Sequence, residues 1–213
     1  MSIATGDQAA EWMQARIGLL TASRMCDAIA KAKTGWSASR KKYMIELIAE
    51  KLTGIPTVSY MSQAMVWGIE TEPKARAAYE SLKGVTVDKA TFATHPVIPN
   101  CGASPDGYVL DDGLVEIKCP ETRTHIAYLI DRKIDEDYVI QMQWQMACTG
   151  RKWVDFCMYD PRLPLSCSLI VTRVFRDDAL IKGLEKLAIG FLQEMAQAMQ
   201  AIESYHLASE DVA

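Results

Sequence analysis

The chain contains no apolar run approaching the ~20 residues of a membrane-spanning helix. Its opening residues, MSIATGDQAAEW, carry neither a basic stretch nor an apolar core, so they do not read as a secretory signal. No C-x-x-C pair occurs among its six cysteines (Cys26, Cys101, Cys119, Cys148, Cys157 and Cys167). Several lie within apolar stretches, and they read as reduced, buried thiols of a cytosolic protein. The three histidines (His95, His125 and His206) lack ligand spacing, which argues against zinc. There is no basic excess either: the net charge is −4. That argues against a protein that coats nucleic acid non-specifically over its whole surface, but a local basic channel remains open, because steering depends on where the charge sits. Without internal repeats, low-complexity tracts or linkers, residues 1–213 are expected to form one domain, with a polar, loose tail from about 206.

What the chain does have is a succession of amphipathic segments with clear punctuation. Residues 7–16 read as a helix capped by Asp7, and Thr21 or Ser23 is placed to cap a second helix running to about Lys31. Lys31, Lys33, Arg40, Lys41 and Lys42 form the one strongly basic run, with Trp36 among them. It reads either as a solvated face or as a phosphate grip with Trp36 available for stacking. Tyr43–Thr53 and Gln63–Lys83 read as helices stopped by Gly54 and Gly84. Met65, Ile69, Ala75 and Tyr79 are expected on the core side of the second, which carries Glu72 beside Pro73. Thr86–Pro96 reads as a short strand pair. Further helices are expected over 121–133, over Asp135–Thr149 (Asp135 as cap, Gly150 as stop), and from Asp177 to about Tyr205. Strands are expected at Trp153–Tyr159 and Ser166–Phe175.

Residues 103–120, ASPDGYVLDDGLVEIKCP, carry the chemistry. Cys101–Leu110 and Leu114–Cys119 read as a hairpin about the Asp111-Asp112-Gly113 turn. Strand residues two apart share a face, so Glu116 and Lys118 project together, opposite Val115, Ile117 and Cys119. The hairpin brings Asp106 beside them. Two carboxylates and an ammonium on one face suit metal-assisted phosphodiester cleavage. Mg²⁺ takes oxygen ligands, few of them from protein. Asp106, Glu116 and the backbone carbonyl of Ile117 are the candidate ligands. Lys118 is placed to orient water or neutralise developing charge. A bare D…E-x-K pattern nonetheless arises often by chance.

Six ordered segments are far more specific. They are W-x-x-x-R-x-G-x-x-T-A-S at Trp12–Ser23, WG-x-x-x-E-x-x-A at Trp67–Ala75, SPDG at Ser104–Gly107, EIKCP at Glu116–Pro120, Q-x-Q at Gln141–Gln143 and YDPR at Tyr159–Arg162. Together they resemble the lambda exonuclease type of phage recombination nuclease, the YqaJ-like viral recombinase group of the PD-(D/E)xK superfamily. The resemblance implies an α/β (α+β) fold with a restriction-endonuclease-like core, a central mixed β-sheet flanked by helices. It implies an exonuclease using Mg²⁺ (two ions, with Mn²⁺ able to substitute) that digests the 5′-ended strand of linear double-stranded DNA and leaves a 3′ overhang.

Carried over residue by residue, the resemblance makes Asp106 and Glu116 metal ligands and Lys118 the catalytic lysine. Glu72 becomes the helix glutamate near the metals, and Gln141 a glutamine at the active-site water or substrate. Arg16, Ser23 and Ser104 match a pocket for the 5′-terminal phosphate. A further pocket arginine aligns with Thr124, with Arg123 adjacent. Lys33 replaces an arginine that reaches into DNA, and Trp36 and Arg40 are expected on the same DNA side. The resemblance also implies a homotrimeric ring around DNA, a single-strand annealing protein as partner, and the bacterial host cytosol as location. Two other readings stand beside it. A site-specific endonuclease on the same core would cut closed circles. A DNA-end-binding module without chemistry would not need Asp106, Glu116 and Lys118.

Overall fold

The four longest described helices start where a side chain satisfies orphan backbone N–H groups. The computed structural model describes residues 13–57 and 62–210, of which 206–210 are described by backbone alone. Asp7 and most of the first expected helix lie outside these residues. Helices are α1 (Met25–Ile29), α2 (Ala38–Thr53), α3 (Gln63–Lys83), α4 (Thr122–Asp131), α5 (Glu136–Thr149), α6 (Leu165–Ser168) and α7 (Asp178–Glu210). Ser37, Ser62 and Asp135 accept first-turn N–H groups at the starts of α2, α3 and α5. Asp177 does the same for α7, accepting from the N–H groups of Ala179 and Leu180. Gly54, Gly84 and Gly150 close α2, α3 and α5 in the left-handed conformation.

The strands are β1 (Leu20–Thr21), β2 (Val87–Asp88), β3 (Ala93–Thr94), β4 (Cys101–Ala103), β5 (Gly107–Val109), β6 (Gly113–Lys118), β7 (Trp153–Tyr159) and β8 (Leu169–Phe175). They form a five-stranded sheet ordered β2-β5-β6-β7-β8 and a three-stranded sheet ordered β1-β4-β3. β6 and β7 run parallel, joined through α4 and α5, while the other pairs of the larger sheet are antiparallel. The mixed sheet flanked by helices is the expected architecture.

Alternation along β6 divides the core. Val115 and Ile117 pack with Ala75 and Tyr79 of α3, whereas Leu114 packs with Met142 and Met146 of α5 and Tyr128 of α4. A third cluster joins α1, α2, α7, β1 and β4 to Ile140, Trp144 and Cys148 of α5. α5 thus lies between two cores, which explains why eight of its residues are buried. Tyr79 donates to Asp155 Oδ2 at 2.8 Å, and Arg173 grips the same buried carboxylate at 2.8 and 2.9 Å. This fixes α3 on the sheet, and with it the angular position of Glu72.

Several sequence expectations need correction. The two strands within 86–96 do not pair with each other: β2 joins β5, and β3 joins β4 in the other sheet. The first hairpin arm is likewise divided at Ser104-Pro105-Asp106. Thr21 belongs to β1 and neither Thr21 nor Arg24 makes a side-chain cap, so the second helix shrinks to Met25–Ile29. α2 starts at Ala38, because Ser37 caps it, and so takes in Arg40, Lys41 and Lys42. β8 begins at Leu169, after the single turn of α6, and α7 continues to Glu210. α3 runs unbroken past Pro73, and Met65 and Ile69 are about half exposed while Ala75 and Tyr79 are buried.

Arg40 is corrected most sharply. Expected at the DNA, it is 3% exposed. Its guanidinium donates to both carboxylate oxygens of Glu194 at 2.7 and 2.9 Å and to the Ala28 carbonyl at 2.9 Å. Bidentate geometry of this kind is what arginine does when it braces helices. Arg40→Met is expected to cost about 2 kcal/mol of stability in urea denaturation, the scale of hydrogen bonds to a charged group. Duplex DNA affinity should stay within about twofold, as befits a brace.

Candidate active site

Asp106 lies in the turn between β4 and β5, and its place there depends on Gly107. A Cβ at Gly107 would stand 2.1 Å from Val87 and 3.0 Å from the Arg76 guanidinium, so only glycine lets the turn close. The partly buried Asp106 carboxylate accepts the Ile117 N–H at 2.6 Å through Oδ2, which ties the turn to β6. Glu116 and Lys118 share one face of β6, as the alternation requires. Lys118 Nζ is 2.6 Å from Glu116 Oε1 and 4.9 Å from the Tyr138 ring centroid.

Glu116 is 2% exposed, and such a carboxylate must be hydrogen-bonded. α5 supplies the donors. Gln141 Nε2 donates to Oε1 at 2.7 Å, and Gln145 Nε2 to Oε2 at 2.6 Å. The two glutamines are one helical turn apart, so a single helix face holds both oxygens.

Glu72 approaches from α3. Arg76, one turn further on, donates from Nη2 to Glu72 Oε1 at 2.9 Å and to the Asp106 backbone carbonyl at 2.7 Å. One guanidinium thereby clamps the helix carboxylate to the turn carrying the strand carboxylate. Sequence reading missed Arg76, although its E-x-x-x-R spacing from Glu72 was available as a signal. Gln145 was given no role there either, although its spacing of one helical turn from Gln141 was available as a signal.

The electrostatics follow from this crowding. Burial, with the neighbouring Glu116 and Glu72 carboxylates, raises the Asp106 carboxyl well above the ordinary range, against the Ile117 N–H and Lys118. Burial pulls the Lys118 ammonium down, but Glu116 and Asp106 outweigh it and hold it above its usual value. Lys118 is therefore a cation here, placed to donate rather than to take a proton. The raised Asp106 marks negative charge short of a counterion. An all-oxygen donor set with surplus negative charge fits a hard divalent cation that keeps most of its water. Asp106, Glu116 and the Ile117 carbonyl would hold it, with Glu72 nearby. No three acidic, thiol or imidazole groups among the described residues already converge in ligand geometry. Glu72 and Glu116 are committed to Arg76 and to the glutamines.

The residues matched to a phosphate pocket gather in part. Arg16 Nη2 is 3.5 Å from Ser23 Oγ. β1 pairs parallel to β4, with Thr21 opposite Gly102, so Ser23 and Ser104 leave the sheet at the same end. The Ser104 hydroxyl is buried with no hydrogen-bond partner among the described residues. Arg123 and Thr124 are exposed on α4, and Arg123 pairs with Glu121 at 2.9 Å. The described contacts bring neither to Arg16. Lys33 is exposed in a turn closed by the Lys31–Trp36 bridge. Trp36, 43% exposed, stacks on the Arg40 guanidinium at 4.0 Å, so one aromatic face is taken.

The YDPR segment is a brace. Buried Asp160 accepts from Arg162 at 2.7 and 3.0 Å and from Thr122 Oγ1 at 2.6 Å, and Arg162 stacks on Trp67 of α3 at 4.4 Å. Burial alone would raise the Asp160 carboxyl, but Arg162 and Thr122 pull it down to about 2. The stability it contributes is in place above the unfolded value near 4 and lost as pH falls through about 2. Asp160→Asn should flatten the acid limb of the unfolding profile in that window. An unchanged limb would mean the pair contributes nothing.

A mixed sheet carrying an acid in the turn before a hairpin, and E-x-K on the second strand of that hairpin, is the arrangement of PD-(D/E)xK nucleases. The chain belongs to the YqaJ-like viral recombinase domain family, whose model matches residues 11–152. It is similar to an alkaline exonuclease (LHK-Exo) from Laribacter hongkongensis, with 44% identity over 96% of this chain and 100% of that one, at a TM-score of 0.87. It is equally similar to LHK-Exo in complex with dAMP, with 45% identity, TM-score 0.88 and the same coverage. A phage-related exonuclease from Haemophilus somnus 129PT shares the fold, with 16% identity over 86% of this chain and 96% of that one and a TM-score of 0.71. No curated protein matches the chain.

Proposed function

We propose that this protein is a Mg²⁺-dependent exonuclease that digests the 5′-ended strand of linear double-stranded DNA in the 5′-to-3′ direction. The observation that carries the reading is the convergence of Asp106, Glu116 and Lys118 at one end of the β5–β6 hairpin, with Gln141 on Glu116 and Glu72 alongside. Its relative LHK-Exo is an alkaline exonuclease that binds dAMP, a deoxynucleoside monophosphate of the kind such cleavage releases. Divalent ions, two in number with Mn²⁺ able to substitute for Mg²⁺, would supply an activated water and charge neutralisation at the phosphate.

The chain's own groups do the rest. Asp106, Glu116 and the Ile117 carbonyl hold the ions, with Glu72 supporting. The Lys118 ammonium stabilises charge on the phosphoryl oxygens. Arg16, Ser23 and Ser104 hold the 5′-terminal phosphate, and the buried, unpartnered Ser104 hydroxyl suits a ligand oxygen. Lys33 and Trp36 approach the duplex.

Three subunits in a closed ring would give processivity by topology, since only the channel lining need be basic in a chain of net charge −4. The resulting 3′ strand would pass to a single-strand annealing protein in the bacterial cytosol, for recombination by annealing. No helix among the described residues is long and apolar enough to cross a membrane.

Purified protein with Mg²⁺ should degrade linear duplex and leave closed circular DNA intact, with EDTA stopping the reaction. Cutting of the circle would move the reading to an endonuclease. Inertness towards both would leave an end-binding module. A 5′-phosphorylated end should be digested faster than a 5′-hydroxyl end. Equal rates would remove the phosphate pocket.

A further inference from the structure

The Gln145 carboxamide is an expensive thing to bury without a purpose. Its residue is 0% exposed, deep in α5 between Trp144 and Met146, and its Oε1 has no hydrogen-bond partner among the described residues. The one bond its carboxamide makes among the described residues is the 2.6 Å donation from Nε2 to Glu116 Oε2. An apolar side chain would pack here at lower cost were the position only structural.

The lone pairs of Glu116 show what that bond does. A carboxylate oxygen accepts two hydrogen bonds in the plane of the group. Oε1 receives two, from Gln141 at 2.7 Å and from Lys118 at 2.6 Å. Oε2 receives one, from Gln145, among the described residues. Oε1 is therefore filled, and Oε2 keeps one open position. Gln141 and Lys118, both on Oε1, would leave the carboxylate plane free to swing about the Cγ–Cδ bond and carry the other oxygen with it. A donor on each oxygen, from residues one helical turn apart, removes that freedom.

We infer that Gln145 is a positioning residue that locks the Glu116 carboxylate so that Oε2, and not Oε1, is the oxygen presented to the divalent ion. Gln145 touches neither substrate nor ion and acts through Glu116. The inference rests on the nuclease reading of the site and adds to it an assignment of which oxygen works and what selects it.

The test uses Gln145→Met, which keeps length and removes the donor, and Gln145→Asn, which keeps the amide but is too short to reach. Mn²⁺ binding to each full chain is measured by titration calorimetry, beside kcat and KM on linear duplex and the melting temperature. Expected for both variants is a loss of Mn²⁺ affinity and of kcat of about tenfold each, the lower end for groups that orient a metal ligand. KM for DNA should stay within about twofold. Mn²⁺ affinity and kcat within twofold of wild type in whichever variant folds would overturn the inference. So would a lower melting temperature with metal affinity unchanged, which marks a purely structural residue. Should neither variant fold, ¹⁵N-glutamine-labelled wild type decides. The Gln141 and Gln145 side-chain amides should both shift on adding Mg²⁺, while that of Gln143, which donates to the Phe175 carbonyl, stays in place, and a shift of only one of the Glu116 donors overturns the lock. A wild-type chain that neither binds Mn²⁺ nor digests DNA would instead defeat the nuclease reading itself.

Discussion

Lys118→Ala is expected to lower single-turnover digestion of linear duplex by about 10²–10³-fold, the cost of removing one preorganised donor from a site of developing charge. The structure explains why the effect should be confined to chemistry. The Lys118 side chain is 25% exposed, so truncation opens to solvent rather than leaving a closed void. Glu116 keeps two donors, Gln141 and Gln145, and so remains held. Duplex affinity in a gel-shift assay without divalent ions should therefore stay within about twofold. Because Glu116 and Asp106 hold the ammonium above its usual value, Lys118→Arg preserves the charge but not the compact shape. It should recover little of the lost rate. Normal digestion by Lys118→Ala would show that the hairpin is not the reacting site.

Asp106→Asn is expected to abolish activity and at the same time to raise stability at pH 8 in EDTA. The Asp106 carboxyl is raised by burial and by Glu116 and Glu72. A group raised on folding stabilises the fold at low pH, and that contribution is lost as pH rises through its folded value. Above it, the ionised carboxylate is a cost that asparagine does not carry, while the asparagine oxygen still accepts from the Ile117 N–H. Thermal unfolding of the two proteins should diverge as pH rises, with the variant more stable. Added Mg²⁺ should stabilise wild type and leave the variant unmoved, since a ligand that binds only the folded state stabilises it by mass action. A variant less stable than wild type at pH 8 would mean that the Asp106 charge is already compensated. Function here would be held at the expense of stability, as is common for sites that gather like charges.

Much of the site was legible because its signals are local. Strand alternation placed Glu116 and Lys118 together, and S-P-D-G placed Asp106 in a turn; both rest on backbone geometry over a few residues. Helix punctuation was readable for the same reason, as at Asp135 and Gly150. Arg40 was misread because sequence shows a charge but not the partner that neutralises it, and Glu194 lies 154 residues away. Arg76 was missed although its link to Glu72 is local, because its second bond, to the Asp106 carbonyl, exists only once α3 packs on the sheet. The division of 86–96 between two sheets was out of reach too. β2 and β3 are two residues each and are defined by partners, not by their own pattern.

The measurement that bears most directly on the site and its polarity uses a linear duplex with 5′-phosphates, one strand labelled at its 5′ end. With Mg²⁺, the label should appear at once as mononucleotide, while the strand labelled at its 3′ end in a parallel reaction shortens progressively and keeps its label until late. Early release of the 3′ label, or internal fragments from either strand, would contradict 5′-to-3′ digestion at the Asp106, Glu116 and Lys118 site.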